Sequence, residues 1–397
     1  DDGFCAYING TEIARENRLD WMNARAELVD ALGDRGDAAA RPAVLEMVQS
    51  PDEPVRAAAL RALSGVGRDA DVPLLVQRIA AGSAAEQLAA AQSLVRLKGD
   101  GVNAAITAAL GSAAPNARIK LLEILAARNA KEALPAMLAA ASGPDAAVCL
   151  AALDALRVLA DEGQTADLVK LLQAAQADAQ RTKAEAALLA LCSRGKEKCV
   201  PALAAGLANA DAPARPVLLQ ALARAGGPAA LEAVAGRLDD EDQAVRDEAV
   251  RMLSLWPDRT VVPRLTKIAG AESRRYHVLA IQGVVRLASP KEDRPADLKL
   301  LADAIRLAKR RDEKQLALGV LTRTASPESL ALAVSLLDDP TLTPVTAYDT
   351  STSSSTVRGS PAFSTRIPSQ SPGAATDAAL VQTIRASGVR SARRCKA

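Results

Sequence analysis

Arg56-Ala57-Ala58-Ala59-Leu60-Arg61-Ala62-Leu63 is one statement of a phrase that runs through most of this 397-residue chain. It appears first as Arg25-Ala26-Glu27-Leu28-Val29-Asp30-Ala31-Leu32 and again as Arg118-Ile119-Lys120-Leu121-Leu122-Glu123-Ile124-Leu125. Later copies start at Arg215 and Arg246. Aligning on the first residue gives landmarks at Arg25, Arg56, Leu88, Arg118, Cys149, Ala184, Arg215, Arg246, His277 and Lys314, a period of about 31 residues. The two longer intervals are expected to absorb loop insertions near residues 176–181 and 289–294. A fixed period of this size means small units stacked so that each buries its apolar face on the next.

Three residues past the landmark stand Leu28, Ala59, Ala91, Leu121, Ala152, Ala187, Leu218, Ala249, Ala280 and Ala317. Seven past it stand Leu32, Leu63, Val95, Leu125, Leu156, Leu191, Leu222, Leu253, Val284 and Leu321. Spacings of three and four put these on one side of a helix, the expected core seam. Four residues before the landmark, Asp52, Asp145, Asp211, Asp242 and Ser273 are placed to cap the helix start. A helix with its own apolar stripe precedes each, often with proline in its first turn, as in Val72-Pro73-Leu74-Leu75. Gly226-Gly227-Pro228 reads as a helix stop.

Composition agrees. Apolar residues make up 49% and aromatics only 2%, with alanine and leucine dominant. That suits closely packed helices and disfavours a sandwich or barrel, which needs β-branched and aromatic residues. From residue 341 onward there are seven Lys/Arg and two Asp/Glu; subtracting these from totals of 49 and 47 leaves 42 and 45 before it. The repeat body is slightly acidic, so a phosphate backbone is not its expected partner.

At this point a resemblance enters. Asp52-Glu53-Pro54-Val55-Arg56-Ala57-Ala58-Ala59 and Asp242-Gln243-Ala244-Val245-Arg246-Asp247-Glu248-Ala249 resemble the D-x-x-V-R-x-x-A signature of HEAT repeats, although Leu88, Cys149 and Ala184 replace the arginine. The resemblance covers roughly residues 23–340 and implies an all-α, right-handed α-solenoid of about ten helix pairs. Asp52, Arg56, Asp211, Arg215, Asp242 and Arg246 would form its structural ladder, pairing with carboxylates or carbonyls of neighbouring repeats. The variety is similar to short arrays attached to large exported bacterial proteins, which favours a periplasmic or extracellular setting.

Three regions follow: residues 1–22, the array at 23–340, and 341–397. Phe4-Cys5-Ala6-Tyr7-Ile8, Asn9-Gly10 and Thr11-Glu12-Ile13-Ala14 read as a short β-hairpin. Residues 1–21 also resemble the edge of a secreted β-sandwich module. Beyond Pro340 a Ser/Thr/Pro-rich tail lacks the apolar content to fold, except for a brief helix between Ala374 and Ala386. Its break in mid-unit reads either as a linker or as sequence foreign to the repeat. The opening Asp1-Asp2, without an initiator Met, suggests a processed chain or fragment.

Chemistry is sparse. His277 is the single histidine and sits in the landmark row, so a structural role is expected rather than catalysis. No Gly-x-Ser-x-Gly, Cys-x-x-Cys, calcium loop or glycine-rich phosphate loop occurs, and neither cofactor nor metal is expected. Asp239 to Asp242 read as capping and solvation. No apolar run is long enough to span a membrane. Cys192 and Cys199 are placed to meet across a turn, as a disulfide or as two buried thiols; Cys5, Cys149 and Cys395 lie far off in sequence.

The row five past the landmark varies in polarity while the seams stay apolar: Arg61, Ser93, Glu123, Asp154, Leu189, Gln220, Arg251, Gln282 and Gly319. Packing does not constrain it, so it is expected on the exposed, concave side of the second helices. Arg61, Ser93, Glu123, Asp154, Gln220, Arg251 and Gln282 are the candidate partner-binding residues, with Trp256 and Tyr276 as aromatic anchors, Trp256 more readily buried. The expected function is a non-catalytic scaffold for a protein partner, monomeric in isolation. The alternatives are a structural spacer in a larger protein, or a subunit like the HEAT-type bilin lyases, binding a tetrapyrrole.

Overall fold

The computed structural model describes residues 4–342, apart from 9, 10, 17, 272, 325, 337, 338 and 340, with side chains from residue 23 onward. The expected tail and its brief helix lie outside the described residues. Strands β1 (Phe4–Ile8) and β2 (Thr11–Glu16) pair antiparallel, with the register slipping by one residue after Ala6; the expected Asn9-Gly10 turn lies outside the described residues.

Twenty α-helices follow among the described residues. They are α1 (Arg18–Arg35), α2 (Arg41–Met47), α3 (Glu53–Val66), α4 (Val72–Ala81), α5 (Ala84–Arg96), α6 (Val102–Leu110) and α7 (Pro115–Ala127). Then come α8 (Leu134–Ala141), α9 (Ala146–Leu159), α10 (Thr165–Ala174), α11 (Asp178–Gly195), α12 (Val200–Ala208), α13 (Ala214–Ala225) and α14 (Gly227–Ala235). The last are α15 (Gln243–Ser254), α16 (Val262–Gly270), α17 (Arg274–Ala288), α18 (Leu298–Leu307), α19 (Arg311–Leu321) and α20 (Pro327–Val334). Odd-numbered helices are long and carry the landmarks; even-numbered ones are short. Each long helix packs on the next long one, and most short helices pack on the next short one, giving two parallel layers. Nine complete short–long pairs lie between a leading α1 and a trailing α20.

Local chemistry explains the ends. Pro42, Pro73, Pro135, Pro201, Pro228, Pro263 and Pro327 sit in the first turns of short helices, where a missing N–H leaves no intrahelical bond unmade. Asp145, Asp211, Asp242 and Ser273 accept the Val148, Ala214, Ala244 and Tyr276 amides as expected. Asp52 has the extended cap backbone but makes no side-chain bond to the α3 amides. Gly226 and Gly227, at φ 75° and 85°, break the chain between α13 and α14.

The core runs the length of the array between the layers, and the expected seam holds in most repeats. Two departures have plain causes. Leu28 and Leu32 are exposed, because no short helix precedes α1 to cover them. In α5 the register is one residue earlier than expected: Ala90 and Leu94 are buried, while Leu88 and Val95 are 60% and 38% exposed. Its landmark is therefore Gln87, which restores intervals of 31 on both sides. Residues near 178–181 form an additional turn of α11 rather than a loop. Residues 289–294 do loop out, held by a bridge between Lys291 and Arg294.

Candidate interaction face of the long helices

In most repeats the landmark residue is a donor that closes the C-terminus of the preceding short helix. Arg56 Nη1 donates to the Ser50 and Pro51 carbonyls at 2.9 and 2.7 Å. Gln87 Nε2 reaches Gly82 O at 2.9 Å, Arg118 Nη2 reaches Gly111 O at 2.9 Å, and Cys149 Sγ reaches Gly143 O at 3.1 Å. Arg181, a turn ahead of Ala184, reaches Ala175 O at 3.0 Å; Arg215 reaches Ala210 O at 3.1 Å; Arg246 reaches Glu241 O at 2.9 Å. Helix-end carbonyls lack intrahelical partners, so any donor of suitable reach serves. That is why arginine, glutamine and cysteine interchange here.

His277 performs the same task. Its Nδ1 faces Ala269 O at 2.5 Å, and its Nε2 meets Glu313 at 3.1 Å with both side chains buried. Lys314 instead pairs with Asp339 at 2.6 Å; with Thr341, it holds that carboxyl down to about 2. The carboxylates that meet ladder arginines are Glu86, on Arg56, and Asp240, 3.5 Å from Arg215. Asp211 and Asp242 are spent on capping. Burial opposes the charge on Glu86, but Arg56 and the Ser83 amide outweigh it and hold the carboxyl below its ordinary range.

A second arginine row has no counterpart in the sequence reading. From the ends of long helices, these side chains reach back to the last carbonyls of the preceding long helix. Arg128 Nη1 bonds Leu94 O, Val95 O and Leu97 O at 2.6, 3.1 and 2.8 Å. Arg194 bonds Ala160 O at 2.8 Å, and Arg286 bonds Ser254 O at 3.1 Å and also Trp256 O. Burial lowers the pKa of Arg128 and Arg286. An arginine stands nine or ten residues past the corrected landmark in seven copies, at Arg35, Arg96, Arg128, Arg194, Arg224, Arg286 and Arg323, but only Arg128, Arg194 and Arg286 make this contact, so its position alone does not signal it.

Measured from the corrected landmarks, positions +5 and +9 are exposed or half-buried in every copy and mark the side away from the core; +1 and +8 lie at its edge, buried in some copies (Ala57, Cys192, Ser254, Val285) and open in others. At +5, Glu123, Arg251, Gln282 and Gly319 are exposed; Arg61, Asp154, Leu189 and Gln220 are half-buried. Ser93 is fully buried, its hydroxyl without a hydrogen-bond partner, because the register shift moves it to +6; Gln92 is the exposed +5 residue. Charges on this side are largely paired: Arg61 with Asp30 at 2.6 Å, Lys120 with Glu123 at 2.9 Å, Lys183 with Asp154 at 2.7 Å and Arg251 with Glu248 at 2.5 Å. Away from the array ends, the large aliphatic side chains left exposed are Leu88, Val95, Val158 and Leu255, at +1, +8, +9 and +9.

Two open grooves lie on this side. One, of about 800 Å³, runs between α15 and α17, with Val278 and Leu279 among its lining and Asp247, Glu248, Arg251, Arg275 and Gln282 around them. Tyr276 Oη donates to Asp247 at 2.8 Å, and Arg275 pairs with the same carboxylate at 2.6 Å. The other, of about 470 Å³, lies between α5 and α7 over Leu88, Ala91, Val95, Ile124 and Ala127, beside Lys120 and Glu123. Trp256 is wholly buried and joins neither. Among the described residues no group of three or more His, Cys, Asp or Glu is placed to hold a metal ion. No described helix is long and apolar enough to cross a membrane.

Two layers of stacked short–long helix pairs at a 31-residue period are the architecture of an all-α HEAT-repeat solenoid. A family model for HEAT repeats matches residues 16–95. Among solved structures, Kap95p in complex with RanGDP is similar at 13% identity and TM-score 0.45, over 79% of this chain and 50% of that one. Kap121p bound to Pho4p is similar at 14% identity and TM-score 0.46, over 74% and 36%. The Escherichia coli protein YibA is similar at 15% identity and TM-score 0.31, over 78% and 99%. The chain thus spans about half of Kap95p. No curated protein matches the sequence.

Proposed function

We propose that the array is a non-catalytic scaffold that holds a protein partner against the exposed side of its long helices. One observation carries this reading: the large aliphatic side chains left exposed away from the array ends, Leu88, Val95, Val158 and Leu255, all lie on that one side or at its edge. Exposed aliphatic groups cost solvation free energy, and where they gather, as Leu88 and Val95 do in the α5–α7 groove, they are a recurrent mark of an interface. The paired charges around them leave little net field, so contact rests on apolar burial within a polar rim. Glu123, Asp154, Arg251 and Gln282 form part of that rim, and Arg61 and Gln220 extend it. An amphipathic helix laid in the α5–α7 or α15–α17 groove is the fitting mode of engagement. Attachment to a larger exported protein, with residues 1–21 as the edge of a β-sandwich module, belongs to the same proposal and rests on resemblance.

The test is a cross-linked pull-down from native extract, comparing wild type with Leu88→Glu, Val158→Glu and Leu255→Glu. The expected result is a discrete partner, cross-linked near Glu123, Asp154 or Arg251, whose recovery falls at least about tenfold in the variants; a 1.4 kcal/mol loss of binding already gives that factor. Helical circular dichroism should be unchanged. Equal recovery with all three variants would remove this side as the interface and favour the spacer reading.

A further inference from the structure

Cys192 lies in the last turn of α11, and Cys199 closes the Lys196–Cys199 turn that leads into α12. Both thiols are free, fully buried and part of one core, and Cys199 packs against the last turn of α11, where Cys192 stands. Gly195 makes room for the contact: a Cβ there would sit 2.6 Å from Cys199 Sγ. We propose that Cys192 and Cys199 are a cross-linking site, closed by a low-molecular-weight disulfide into a bridge that fastens the end of α11 to the start of α12.

The chemistry balances by two exchanges. Cys199, as thiolate, attacks one sulfur of the small disulfide; an S–S bond forms between them and one small thiolate leaves. Cys192, losing its proton, then attacks Cys199 Sγ and expels the second. Two protein thiols are oxidised by two electrons, one disulfide is reduced to two thiols, and the protein's two protons end on those leaving groups. Cys199 reacts first because the exposed turn Lys196-Glu197-Lys198 opens at lower cost than the helix that holds Cys192. Burial, and then the neighbouring Cys199, hold the Cys192 thiol above its ordinary range, so the closed pair exchanges slowly.

The experiment uses the native full chain, incubated with mixtures of oxidised and reduced glutathione, then alkylated and digested by trypsin without reduction. Cleavage after Arg194, Lys196 and Lys198 leaves the bridge joining peptide 184–194 to peptide 199–224, since Arg215 precedes a proline. That linked pair should dominate the oxidised sample, vanish with reductant, and accompany a rise of several degrees in melting midpoint. Cys192→Ser and Cys199→Ser should each remove both effects. Alkylation of both cysteines after oxidation, a persistent glutathione adduct on Cys199, or preferential pairing with Cys5, Cys149 or Cys395 would each overturn the proposal. Because the first readout is on wild type, a poorly folding variant leaves it decisive, and no part of it depends on the scaffold reading.

Discussion

Arg128 shows how much structural work one side chain does here. It satisfies three carbonyls at the end of α5 from the end of α7, and hydrogen bonds to a charged group are worth about 1.5–3 kcal/mol each before desolvation is offset. Arg128→Ala is therefore expected to lower stability by about 2–3 kcal/mol in urea titration, whereas Arg96→Ala, on the exposed side, should stay within about 0.5 kcal/mol. Equal effects would remove the clamp interpretation. Glu86 gives a pH signature. Its folded pKa lies below the ordinary 4.5, so its contribution is present above that value and is lost as pH falls through the lower folded value. Glu86→Gln should lower neutral-pH stability and flatten that part of the acid limb. An acid limb unchanged in the variant would mean that Arg56 and Glu86 do not act together.

Among the elements, α5 is the sharpest test of register. Leu94→Ala should cost about 3 kcal/mol, as large-to-small changes do in a packed core, while Leu88→Ala should be nearly neutral. The opposite order would restore the register read from the sequence. Period, proline positions and every cap but Asp52 were legible, because each follows from local spacing and side-chain chemistry. The register of α5 was not: Gln87-Leu88 and Leu94-Val95 offer two apolar phases one residue apart, and only burial chooses between them. The exposed row was legible for Glu123, Arg251 and Gln282, and missed at Ser93 for that same reason. The clamping arginines were invisible, since their partners are carbonyls thirty or more residues away, which side-chain identity does not encode.

At the scale of the whole molecule, each repeat touches only its neighbours, so stability is a sum of local terms and interfaces. Leu156→Asp in the centre should split one urea transition into two. In a Trp21→Phe background, fluorescence of buried Trp256 should keep a midpoint near the wild-type value while part of the helical signal melts earlier. Coincident loss of both signals would mean the array unfolds as one unit. The arginine clamps carry a mechanical consequence. Among the described residues they tie α5 to α7, α9 to α11 and α15 to α17; the other long-helix junctions have none, and α11/α13 with α13/α15 form the longest unclamped stretch between two clamps. Bending should therefore be easiest where the long helices can part without breaking a charge-assisted bond, making residues 196–242 a compliant joint between the clamped pairs α9/α11 and α15/α17. Amide hydrogen exchange faster at the ends of α11 and α13 than at the ends of α5 and α15 would locate that joint, and the curvature the molecule adopts around a partner would be set there.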